Sequence, residues 1–90
     1  MDNRDDIRTT NAEDKAIESA VLQHALALHP TPITVEELAR EMGIGRDSFA
    51  ERDAVERAVR DLTGSGLLHC GESFVLPTRA ALRFDELLGE

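Results

Sequence analysis

The sequence predicts a mainly α fold that closes on a small β-hairpin. Three observations predict it. Apolar residues recur at helical spacing over 34–42 and again over 48–64. Glycines stand where each of those segments must end, at Gly43 and at Gly64 and Gly66. The chain then turns to two short apolar runs separated by Gly71-Glu72, the pattern of a two-stranded ribbon. Amphipathic segments over 10–29 and 78–88 flank this centre. The expected organisation is one domain over 10–90, preceded by an acidic tail over 1–9. The domain comprises a three-helix core, a ribbon over 67–76 and a C-terminal helix.

Residues 1–9 alternate charge and hold almost no apolar side chains, so a disordered tail is expected there. The first helix is expected from residue 10 to His29. Thr10 with Glu13, or Asn11 with Asp14, can cap its start, and Pro30 must end it because the residue before proline avoids the α region. Ile17, Ala20, Val21, Ala25 and Leu28 form its inward stripe. Leu22 and Leu26 widen the apolar arc beyond what one neighbouring helix needs.

The second helix starts at a capping box, with Thr34 as N-cap and Glu37 three residues on. Ile33 and Leu38 are spaced for a hydrophobic staple across that start. Val35, Leu38, Ala39 and Met42 form the apolar stripe, and Gly43 suits the left-handed turn that follows. In the third helix Val55, Ala58, Val59 and Leu62 recur at i, i+3, i+4 and i+7. Its start is open between Ser48 with Glu51 and Asp53 with Glu56. The hairpin is expected to turn at Gly71-Glu72, glycine first, as a type II′ turn requires. Phe74, Val75 and Leu76 form the return strand. Pro77 ends it, and Thr78 caps a last helix with Ala80, Ala81, Phe84, Leu87 and Leu88 on its apolar side.

The segments EELAREMGI (36–44) and AVERAVRDLTGSGLL (54–68), with a short hairpin after them, resemble the winged helix-turn-helix family. The likeness is to small bacterial regulators of the kind that include the MarR-like repressors. It covers roughly residues 17–88 and implies a fold more firmly than a function. It implies double-stranded DNA as partner, read by the third helix, with the ribbon as wing. In that family the terminal helices often build a homodimer; the alternative is that the first and last helices pack on each other within the chain. Between Gly43 and Gly66 the chain is about six residues longer than the usual form, with GRDSFA (45–50) as the insertion. An enlarged turn there changes how the third helix is presented.

Composition argues in the other direction. Eighteen acids face ten Lys and Arg, for a net charge of −8. Affinity for nucleic acid comes largely from neutralising phosphates, so only a local basic face can overcome repulsion at long range. The candidate DNA contacts are Arg57 and Arg60 as readers, with Arg52 and Arg46 on phosphates. Asp53 stands four residues before Arg57 and Glu56 four before Arg60, an order that favours ion pairs within the helix. Glu72 and Ser73 put no cation at the wing tip. The alternative is an acidic winged-helix module that binds protein or dimerises without nucleic acid. Its candidate surface is Leu22, Leu26, Phe84, Leu87 and Leu88.

An enzyme is not expected. The sequence holds no phosphate loop, nucleophile elbow or dinucleotide fingerprint. Cys70 and His69 are neighbours on an alternating strand and so point to opposite faces. No metal or cofactor is expected: the single Cys70 precludes an internal disulfide or a cysteine cluster, and His24 and His29, five apart, share no helical face. There is no membrane-spanning run and no secretory signal pattern in MDNRDDIRTTN, so the expected location is the cytoplasm.

Overall fold

The inner stripe of the third helix is the surface on which the other elements meet. The structure, a computed structural model, describes the backbone of residues 3–45 and 47–89 and the side chains of 13–45 and 47–89. The order is α1 (Asn3–Leu28), β1 (Ile33–Thr34), α2 (Val35–Glu41), α3 (Phe49–Gly64), β2 (Leu68–Gly71), β3 (Phe74–Pro77) and α4 (Arg79–Leu88). Val55, Ala58, Val59 and Leu62 of α3 pack with Val21 and Ala25 of α1, Leu38 of α2, and Ile33, Leu68 and Val75 of the strands. The large side chains Val21, Leu38, Val55, Leu68 and Val75 are all buried to within 2% of complete. Each apolar side chain buried to that degree contributes about 1.5–3 kcal/mol.

Helix α1 starts at Asn3 and takes in residues 3–9, where a disordered tail was the expectation. Neither proline nor glycine stands between Asn3 and Leu28, so nothing in the backbone chemistry halts the helix short of Asn3. Thr10 and Asn11 therefore lie within α1 rather than at its cap. Residues 1 and 2 lie outside the described residues.

Helix α2 begins as its sequence requires. The Thr34 hydroxyl accepts from the Glu37 N–H at 3.1 Å, and the Glu37 carboxylate accepts from the Thr34 N–H at 3.0 Å. Both staple residues, Ile33 and Leu38, are buried. Helices α2 and α3 end in the same way. Gly43 and Gly66 take φ of 81° and 86°. The Gly43 N–H donates to the Arg40 carbonyl and the Ile44 N–H to Ala39, at 2.9 and 3.0 Å. The Gly66 N–H donates to Thr63 and the Leu67 N–H to Leu62, at 3.2 and 2.9 Å. Both are Schellman closures, which a side chain at the positive-φ position would strain.

The sheet has three strands where a two-stranded ribbon was expected. Its order is β1-β3-β2, antiparallel throughout, with Ile33 opposite Val75 and Cys70 on the other side of the same residue. The capping geometry of α2 holds Ile33 and Thr34 extended, and so places them against the free edge of β3. The hairpin turns at Glu72-Ser73, one residue later than expected, because Gly71 pairs with Phe74. Gly71 keeps a negative φ, so its freedom is not what closes the turn. Helix α4 is anchored by its first turn. The Thr78 hydroxyl accepts from the Ala81 N–H at 3.2 Å and donates to the Gly66 carbonyl at 2.7 Å, and Ala81 is buried. Among the described residues no helix is long and apolar enough to cross a membrane.

Candidate interaction surfaces

The arginines of α3 diverge to three neighbours. Arg52 turns to α2, where its guanidinium meets the Glu36 carboxylate at 3.1 Å and its side chain is 31% exposed. Arg57 turns to α1 and stands 3.9 Å from Asp14. Arg60 turns toward β2, at the rim of a groove that Cys70 also lines. Arg46 lies outside the described residues. The expected pairs along the helix, Asp53 with Arg57 and Glu56 with Arg60, do not form. Arg57 sits on the flank of α3 that faces α1, so Asp14 is its nearer anion, and Arg60 has no acid within ion-pair distance among the described residues.

One outer face of α3 carries Phe49, Asp53, Glu56 and Arg60, all exposed and all at helical spacing, with Arg60 at the edge nearest β2. Phe49 is 77% exposed. It falls where the expected insertion over 45–50 overlaps the start of the expected helix over 48–64, so no role on this face was expected of it. The signal was present: Phe49, Asp53, Glu56 and Arg60 follow i, i+4, i+7 and i+11, out of phase with Val55, Ala58, Val59 and Leu62. One aromatic, two carboxylates and one guanidinium make a face of mixed sign. Glu51 and Asp61 on the same helix, and Glu72 in the hairpin turn, are exposed as well.

The second candidate surface is on α4. Phe84, Leu87 and Leu88 are 59%, 65% and 69% exposed. Arg83 is engaged with Glu86 at 3.3 Å, whereas Asp85 has no basic partner within ion-pair distance among the described residues. Leu22 and Leu26 are half-buried, and Leu22 packs partly on the core, so α1 contributes less free apolar surface than its sequence pattern suggests.

The groove beside Arg60 lies between the C-terminal half of α3 and the edge strand β2. It is an open groove of about 450 Å³. It is lined by Val35, Val59, Thr63, Gly64 and Cys70, with Glu56 and Arg60 as its charged residues. The Thr63 hydroxyl donates to the Val59 carbonyl at 2.6 Å, which satisfies that polar group within the helix. Cys70 stands opposite Val75 on the sheet and so faces the same side, but at the edge it opens to solvent.

The Glu37 carboxyl is held below its ordinary range, chiefly by the Thr34 backbone N–H, then by the Thr34 hydroxyl, with a smaller effect from Arg40. That group is structural and stands at the start of α2. Neither a known protein family nor a curated protein matches this chain.

Proposed function

We propose that this chain is a winged-helix module that works by binding protein, in the first instance a second copy of itself, through the exposed apolar face of α4. The element order supports the winged-helix reading: three helices, a hairpin whose return strand also pairs with the short strand before α2, and a final helix. The observation that carries the functional reading is the row of Phe84, Leu87 and Leu88 in solvent. Large apolar side chains clustered on one exposed face mark association surfaces, whereas scattered ones do not. A contact of this kind is consistent with the acidic balance, since it needs no basic surface.

The test is the size of the full chain in solution across a wide concentration range. The wild type is expected to self-associate, and Leu87→Asp with Leu88→Asp is expected to leave a folded monomer. A wild type that stays monomeric at high concentration overturns the reading.

A second reading is double-stranded DNA binding by α3, which would make the chain a transcriptional regulator. Two observations favour it: Arg60 has no anion partner among the described residues, and Asp14 holds Arg57 at only 3.9 Å. An exposed pair of that kind is worth about 0–1 kcal/mol, so a phosphate could take the arginine over. Asp53 and Glu56 would still face the duplex. On this reading mixed duplex DNA is retained at low salt, released as salt rises, and lost with Arg57→Ala and Arg60→Ala together. No binding at low salt removes it.

A further inference from the structure

We propose that the receiving surface for α4 is the groove between α3 and β2 of the second copy, so that Phe84, Leu87 and Leu88 of one chain enter beside Arg60 and Cys70 of the other. This rests on the association reading above and specifies where the partner is held.

The two surfaces fit in three respects. The groove is concave and apolar, and its volume of about 450 Å³ lies in the range of about 300–1,000 Å³ typical of cavities that bury a bound group. The last two turns of α4 are the matching convexity. They follow a first turn anchored at Thr78 and Ala81, and their large apolar side chains stand in solvent, free to enter a partner. The charges correspond as well. Arg60 lines the groove, together with Glu56, and has no acid within ion-pair distance, and Asp85 flanks the apolar face of α4 with no base within that distance, among the described residues. A guanidinium brought against a carboxylate at the edge of an apolar contact fixes register and speeds encounter. For a chain of net charge −8, self-association needs such a local attraction against the general repulsion. The contact joins two unlike surfaces, so it closes as a reciprocal pair or extends head to tail.

The test uses the full chain and two readouts, the association constant and the accessibility of Cys70, the sole thiol. Arg60→Glu and Asp85→Arg are each expected to weaken association about tenfold. Combined in one chain they restore it, because the pair is rebuilt with its signs exchanged. The rate at which Cys70 reacts with a thiol reagent such as dithionitrobenzoate is expected to fall as wild-type chains associate. If chains associate while Cys70 reacts at the monomer rate and the double variant is no better than the single ones, the groove is not the receiver, although the association reading survives. If the wild type is monomeric, both fall.

Discussion

Helices α3 and α4 carry the same kind of apolar stripe and meet opposite fates. In α3, Ala54, Val55, Ala58, Val59 and Leu62 are all buried, none more than 9% exposed. In α4 only Ala81 is buried, while Phe84, Leu87 and Leu88 stand more than half in water. The difference lies in what surrounds each helix. The stripe of α3 meets α1, α2 and the sheet at once, whereas α4 meets chiefly α1 and β3 and leaves Phe84, Leu87 and Leu88 in solvent. Amphipathic spacing therefore says that a helix has a face to cover. Whether the cover comes from the same chain is a matter of tertiary placement.

The sharpest way to break this contrast is to make one chemical change on both helices. Leu62→Ala on α3 removes a side chain 5% exposed and leaves a cavity at the centre of the core. Its expected cost is about 2–5 kcal/mol. Leu88→Ala on α4, at a side chain 69% exposed, is expected to change the stability of the dilute monomer by no more than about 0.5 kcal/mol. Urea denaturation at low protein concentration measures both. A comparable loss from Leu88→Ala would mean that the face of α4 already has a partner inside the chain, and the case for an outside one would fail.

The same contrast explains what was legible in the sequence. Residues whose roles are decided within a turn or two were readable: the Thr34 and Glu37 box, Gly43 and Gly66 after their helices, Thr78 before α4, and the inner stripe of α3. Each answers to local backbone chemistry or to helical period alone. What went unread depended on neighbours distant in sequence. The pairing of Ile33 with Val75 spans the whole helical pair between them, and no short pattern announces a two-residue strand. Local spacing pairs Arg57 with Asp53, four residues away on its own helix, whereas its partner lies on α1, at Asp14. The turn at Glu72-Ser73 was displaced because register, set by the buried Val75 between two strands, outweighed the local preference of glycine. For the candidate surfaces, the sequence named Phe84, Leu87 and Leu88 but could not say that they would be left in solvent.

A finer comparison, with a smaller expected effect, is between the starts of α2 and α3. Thr34 and Glu37 satisfy each other's backbone, whereas Ser48 occupies the N-cap of α3 with no side-chain bond. Only the first start should therefore respond to acid. The Glu37 carboxyl titrates lower in the folded chain than in the unfolded one, because the Thr34 N–H and hydroxyl hold its charged form. Between those two values the unfolded chain binds more protons, so acid favours unfolding there. The stabilisation is complete above the ordinary carboxylate range and disappears as pH falls through the lowered value. Glu37→Gln can still accept the Thr34 N–H but cannot titrate. The denaturation midpoint of the wild type is expected to fall more steeply with acid than that of Glu37→Gln, and the other seventeen acids, common to both chains, cancel in the difference. Parallel curves would show that the charge on Glu37 adds nothing to the cap, and that the two helix starts differ in geometry alone.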